Sequence, residues 1–142
     1  MPLPVVLASR SPRRIELLQL IVPADRILVR PPPSAEEESF DGLTNLPAIM
    51  QQLLQIARHK HDQALKIQQK EGLEFAALVA ADTTVVASAG TGQLVVLGQP
   101  PAGPEQNALV RQWFREYYAD REHQVLTGVC LSVCLKDKFA TK

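Results

Sequence analysis

This 142-residue chain has no formal net charge, few aromatic residues and only two cysteines. Each of these features argues against a class of protein. Lysine and arginine together number 15, as do aspartate and glutamate, so the formal net charge is zero. No overall field therefore draws the chain to nucleic acid or to an anionic membrane. Only 5% of the residues are aromatic, and they form no array with basic residues of the kind that binds nucleic acid. We therefore expect no nucleic-acid partner.

Long apolar runs are also missing, which bears on the compartment. None approaches the length of a membrane span, and the N-terminus lacks the charged-then-apolar leader of a secreted protein. Cys130 and Cys134 lie four residues apart in a predicted strand, so they are about 13 Å from each other at the rise of a strand. That distance is too long for a disulfide bond. We predict a cytoplasmic protein with no membrane partner, and two buried, unpaired cysteines.

What remains is an ordinary globular composition with 46% apolar residues, enough chain for one domain with a core. The order of the predicted elements indicates an α/β domain with a mixed sheet. Strands are predicted at 5–8, 27–29, 75–87, 94–97 and 123–135. Helices are predicted from Pro12 through Val22, over 46–70 with Gly72 as its C-cap, and over 105–119.

The first turn of the first predicted helix has basic residues where helices usually have acidic ones. Ser11 suits its N-cap and Pro12 its first position, where a missing N–H costs nothing. Arg13 and Arg14 then occupy the first turn, although the helix dipole favours acidic residues there. The simplest compensation is an anion, a phosphate held by backbone N–H groups, serine hydroxyls and the two guanidinium groups. The alternative is a pair of solvated arginines, each costing up to about 1 kcal/mol.

Acidic and basic candidates follow elsewhere in the chain. Asp82 comes directly after a buried run, at the end of a strand where α/β proteins place ligands, and could hold Mg²⁺ or orient a water. Taken alone, it could equally begin a turn. Lys60, on the long helix, could reach a phosphate or simply be exposed. His59 and His61 are two residues apart on that helix, so they point to opposite sides and cannot chelate one ion.

Three motifs resemble those of the Maf-like nucleoside triphosphate pyrophosphatases. The first is Leu-Ala-Ser-x-Ser-Pro-Arg-Arg-x-Glu-Leu-Leu at 7–18. The second is Ala-Asp-Thr-x-Val at 81–85, followed by a hairpin and Leu-Gly-x-Pro at 97–100, and the third is His-x-Val-x-Thr-Gly-Val at 123–129. The resemblance implies a three-layer, elongated α/β fold with a mixed sheet and a cleft between two lobes, like that of the inosine triphosphatases. It covers residues 1–142 as one Maf-like domain but only the N-terminal three-quarters of the family fold, so we expect a domain truncated at its C-terminal end.

The resemblance also implies a reaction and its residues. The reaction is hydrolysis of the α–β phosphate bond of non-canonical or pyrimidine nucleoside triphosphates, giving a monophosphate and pyrophosphate, with Mg²⁺ or Mn²⁺. Asp82, Glu36 and Lys60 would be catalytic, with Asp82 orienting the water. The metal ligands would be Asp82 with Glu36 or Glu37. The substrate-binding residues would be Ser9, Ser11, Arg13, Arg14, Thr83 and Gln99. A homodimer is compatible with this interpretation.

One position departs from the family pattern. Gln99 stands where the family usually has lysine, and an amide can only donate hydrogen bonds to a phosphate. Losing such a charge-assisted contact costs about 1.5–3 kcal/mol. The alternative hypothesis is therefore a nucleotide-binding module with little or no catalysis, because of Gln99 and the missing C-terminal segment. The three adjacent glutamates at 36–38 also have an alternative to metal binding, since such a run is most often a solvated loop.

Overall fold

The computed structural model describes residues 2–33, 38–135 and 138–142, which form two compact units. The first unit holds residues 1–37, 54–82 and 128–142, and the second holds residues 38–53 and 83–127. The strands are β1 Val5–Ala8, β2 Ile27–Val29, β3 Ala77–Ser88, β4 Leu94–Leu97, β5 His123–Leu135 and β6 Lys138–Thr141. The helices are α1 Pro12–Gln19, α2 Leu46–Lys70 and α3 Gln106–Trp113, with a short 3₁₀ turn at Ala24–Arg26.

The strands form one mixed sheet in the order β2-β1-β3-β5-β6, and β4 pairs with the end of β3. β1 is parallel to both of its neighbours, with Ala8 opposite Ala80 in β3. β5 runs antiparallel to β3, because the Cys134 amide donates to the Ala76 carbonyl at 2.9 Å while the Thr83 and Thr127 hydroxyls meet at 3.0 Å. The predicted α/β class with a mixed sheet is confirmed.

Helix α2 covers one face of this sheet in the first unit. Its Ala64 packs with the even-numbered side chains of β1 and β3, which point to one side because a strand has a period of two. The buried cluster consists of Val6, Ala8, Ala64, Phe75, Leu78 and Ala80. The position of α2 on the even-numbered face brings its side chains to the middle of β3, where Asp82 lies.

Both ends of α2 are capped. Asn45 accepts a hydrogen bond from the Ala48 amide at 3.0 Å, which is the N-cap arrangement. At the other end Gly72 has φ +65°, the Gly72 amide donates to Gln69 and the Leu73 amide donates to Gln68. These bonds form a Schellman motif, so the predicted C-cap is confirmed together with the bounds 46–70.

Two helix predictions need correction. α1 ends at Gln19 rather than continuing through Val22, because Pro23 disfavours a helical conformation at the residue before it. The helix expected over 105–119 is α-helical only to Trp113 and continues as a π-helical turn over Phe114–Tyr118. Strand β6 was not expected at all.

The cysteine prediction is half right. Cys130 is buried and Cys134 is exposed, and both are free thiols. Cys130 points to the even-numbered, α2-covered face, and burial raises the pKa of its thiol, which Asp62 raises further and Arg58 lowers. Within the described part of the chain, no helix combines the length and the apolar character that a membrane crossing requires.

Candidate active site

The ends of β1 and β2 and the middle of β3 bring the candidate residues of the first unit together. The expectation that Asp82 stands at the end of a strand is wrong, because β3 continues through it to Ser88. Because β1 and β3 are parallel and Ala8 pairs with Ala80, the turn after β1 begins beside Ala81 and Asp82. β2 is parallel to β1 on its other side and ends at Val29, opposite Leu7. The carboxyl ends of β1 and β2 and the Asp82 position of β3 therefore share an edge, which is where open α/β sheets bind ligands.

An ion pair between Lys60 and Asp82 is the central feature of this edge. Lys60 Nζ lies 2.8 Å from Asp82 Oδ1, and only 14% and 10% of the two side chains are exposed. Asp82 is an even-numbered residue of β3, so it faces α2, which carries Lys60. The two residues make further interactions besides this one. The structure thus brings together two of the three residues that we expected to be catalytic.

The turn after β1 is organised by the Ser9 side chain. Ser9 is 2% exposed, and its hydroxyl accepts hydrogen bonds from the Ser11 amide at 3.1 Å and from Arg14 Nη1 at 3.3 Å. Ser11 occupies the N-cap position of α1 and Pro12 its first position, as predicted. The Ser11 hydroxyl makes no capping hydrogen bond, however, so the turn is held by Ser9 instead.

The two arginines of the first turn differ in their surroundings. Arg13 is exposed, whereas Arg14 is half-buried and reaches back to Ser9. The first turn contains no acidic residue, so the departure from the dipole rule is real. A phosphate arriving at this turn would meet one guanidinium already placed by Ser9 and a second one able to move.

Arg10 is a residue that the motif did not single out. Its Nη2 donates to the carbonyl of the buried Pro32 at 2.6 Å. This bond ties the turn after β1 to the segment that follows β2. Arg10 occupies a variable position of the motif and its partner is 22 residues away, so no local pattern points to this contact.

The metal prediction depends in part on glutamates outside the described residues. Glu36 and Glu37 lie outside the described residues, which leaves Asp82 as the described member of the predicted ligand set. In the described ranges, no group of three histidine, cysteine or carboxylate side chains could hold an ion. A single carboxylate paired with a lysine is not a complete magnesium site.

The remaining predicted substrate-binding residues belong to the second unit. Thr83 follows Asp82 in β3, and its hydroxyl lies 3.0 Å from that of Thr127 across the strand pair. Both threonines are exposed. Gln99 follows β4 and is exposed as well.

The histidines of α2 have different surroundings. His59 is exposed and His61 is completely buried, so they point to different sides as predicted. His61 contacts the Ser132 hydroxyl through Nε2 and the Asp62 carboxylate through Nδ1, the latter at 2.8 Å. Sequence reasoning excluded a metal role for this histidine and did not find these partners.

Comparison with known proteins agrees with the motifs. The sequence profile described as Maf-like protein matches residues 4–141. A dTTP/UTP pyrophosphatase of Polaromonas sp. (strain JS666 / ATCC BAA-500) is 30% identical over 128 residues, which are 89% of this chain and 57% of that protein. Proteins of the same name from Caldicellulosiruptor bescii and Ruminiclostridium cellulolyticum are each 32% identical over 127 residues, 89% of this chain and 55% of theirs. The chain thus spans little more than half the length of these relatives.

Proposed function

This chain belongs to the Maf-like protein family, and we propose that it is a nucleoside triphosphate pyrophosphatase. It would hydrolyse the α–β anhydride bond and release a nucleoside monophosphate and pyrophosphate. Relatives named dTTP/UTP pyrophosphatase make pyrimidine nucleotides the first substrates to test. The observation that carries the proposal is the partly buried Lys60–Asp82 pair beside the carboxyl end of β1.

In this proposal, the turn after β1 binds the phosphates. The Ser11 hydroxyl is not engaged as a cap, and Arg14 is oriented by Ser9. A triphosphate would supply the negative charge that the first turn of α1 lacks, since a helix N-terminus with two arginines is favourable for an anion. Arg13 would close on the phosphates from solvent, giving a charge-assisted hydrogen bond.

Hydrolysis uses the carboxylate of Asp82 and the ammonium group of Lys60. When a triphosphate is bound, its oxygens compete with Asp82 for Lys60 Nζ, because a lysine is a mobile point charge. Asp82 then orients a water whose oxygen bonds to phosphorus as the α–β bridging bond breaks, and the carboxylate accepts the proton of that water. Lys60 stabilises the charge that develops on the phosphate oxygens.

The proposal includes a divalent ion, Mg²⁺ or Mn²⁺, which would neutralise phosphate charge when bound. Asp82 would give it one ligand, and Glu36 or Glu37 a second. Measuring turnover while either ion is titrated, with a chelator control, tests this part separately. Turnover that persists in excess chelator would contradict it.

A second candidate is a nucleotide-binding module without efficient catalysis. Gln99 favours it, because the family usually carries a lysine at this position and an amide lacks the charge to stabilise a phosphate. Binding without turnover is the result that separates this candidate from the first.

The experiment is a phosphate-release assay with added inorganic pyrophosphatase on the purified chain, using dTTP, UTP and purine triphosphates. Asp82→Asn and Lys60→Met should each lower kcat by about two to four orders of magnitude, the usual contribution of a general base or its charge partner. Lys66→Met, an exposed lysine six positions further along α2, is the matched control and should leave kcat unchanged. No release from any triphosphate, with nucleotide binding intact, would refute the enzyme and support the module.

A further inference from the structure

His61 is a fully buried polar residue of α2 for which the proposed reaction has no role. Its Nδ1 lies 2.8 Å from an oxygen of Asp62, and because a carboxylate can only accept, Nδ1 carries a proton. Its Nε2 is hydrogen-bonded to the hydroxyl of Ser132 in β5, a residue that is also completely buried. That hydroxyl lies 2.9 Å from the hydroxyl of Thr141 in β6. The imidazole thus connects the long helix to the two last strands of the sheet.

The buried positions of α2 change in character along the helix: Ile49, Leu53 and Ile56 are large and apolar, whereas the stripe around His61 is not. Its members recur at helical spacing and are 0–2% exposed: Ala57, His61, Ala64 and Gln68. Two are alanines, whose single methyl groups interlock weakly with a sheet, and apolar contact is non-directional. A hydrogen bond has a preferred length and angle. In the described part of the chain, the directional link from this stripe to the sheet is the hydrogen bond between His61 and Ser132.

Lys60, the preceding residue, depends on the same register. Consecutive helix residues point about 100° apart, so neighbouring positions of α2 can reach neighbouring strands. Lys60 reaches Asp82 in β3, and His61 reaches Ser132 in β5, the strand beside it. A slide of α2 by a single residue would move it by about 1.5 Å. Because such a register shift also turns the helix by about 100°, it would place a neighbouring residue where Lys60 now lies and turn the ammonium away from Asp82.

We propose that His61 is a positioning residue: its hydrogen bond to Ser132 sets the register of α2 on the sheet and so holds Lys60 against Asp82. The catalytic part of this inference rests on the proposed function. The structural part does not, because the Lys60–Asp82 contact exists without substrate.

The test measures the coupling between Lys60 and Asp82 with and without His61. Unfolding constants are determined for Lys60→Met, Asp82→Asn and the double variant, first in the native background and then with His61→Ala. The native coupling should be about tenfold in the unfolding constant, within the range of contacting residues. With His61→Ala it should fall below about twofold. An unchanged coupling would overturn the inference.

Two further variants separate positioning from general stability. Ser132→Ala removes the hydrogen bond while keeping the imidazole, and should reproduce the loss of coupling. Gln68→Ala is the matched control, because Gln68 lies on the same buried stripe and its amide atoms have no hydrogen-bond partner among the described residues. It should change stability without changing the coupling. Equal losses of coupling in both variants would contradict a specific role for His61.

Turnover gives an independent readout. His61→Ala should lower kcat by about tenfold or more with little change in KM, since small misplacements of a catalytic group are costly. In a Lys60→Met background the same substitution should change kcat by less than about twofold, because the residue acts through Lys60. Equal effects in both backgrounds would refute the inference. If the native chain hydrolyses no triphosphate, the proposed function fails, and the unfolding measurements still decide the role of His61.

Discussion

Removal of Lys60 is the perturbation for which the structure gives the clearest expected magnitude. Asp82 is fixed on a strand with 10% of its side chain exposed, so Lys60→Met leaves a largely buried carboxylate without the lysine. Breaking a fully buried ion pair from one side costs about 3–5 kcal/mol. Because both side chains keep some contact with water, we expect a loss of about 2–3 kcal/mol in the free energy of unfolding.

The opposite substitution should cost less, because the two partners differ in mobility. In Asp82→Asn the ammonium of Lys60 can swing to water on its flexible stem, so the expected loss is about 1 kcal/mol. The double variant should therefore be more stable than Lys60→Met alone, since it no longer buries a carboxylate that has lost its lysine. The assay is urea unfolding followed by circular dichroism at pH 7. Lys66→Met is the exposed control, with an expected change below about 0.5 kcal/mol.

Two results would refute this reasoning. One is a Lys60→Met variant no less stable than the Lys66→Met control, which would mean that the pair contributes as little as a surface pair. The other is a double variant whose loss equals the sum of the two single losses, which would mean that the two groups are not coupled.

Four shorter predictions concern other parts of the chain. Gly72→Ala should lower the free energy of unfolding by about 1 kcal/mol in denaturant titration, because φ is +65° there. Cys134 should react with a thiol reagent well before Cys130, whose raised pKa keeps it protonated; equal rates would contradict this. Arg14→Ala should weaken triphosphate binding by about tenfold in calorimetry without unfolding the protein. Gln99→Lys should raise kcat, and an equal or lower kcat would remove Gln99 as the limit on turnover.

Local pattern was enough to predict most elements. The bounds of α2 and β5 follow from apolar periodicity and from helix-ending residues such as Gly72, because these signals act within a few residues. Strand β6 was missed, since a four-residue strand has little pattern of its own and exists through its pairing with β5. The early end of α1 was also missed, although Pro23 was a usable signal.

The candidate site was only partly predictable because its contacts are long-range. Lys60 and Asp82 were candidates from their chemistry and from the resemblance, but their 2.8 Å contact depends on how α2 lies on β3, which no local pattern encodes. Arg10 and His61 were missed for the same reason. Their partners, Pro32 and Ser132, are 22 and 71 residues away in the sequence.

The zero net charge of the chain gives the Lys60–Asp82 pair a particular role in the proposed reaction. Without an overall positive field, a polyanion must be attracted by a few placed cations. Lys60 is one of them, and in the absence of a ligand it neutralises Asp82. A triphosphate that draws Lys60 toward its own oxygens leaves Asp82 as a carboxylate able to accept a proton. Substrate binding and activation of the base are therefore one event, and an uncharged molecule in the same place would leave the pair intact.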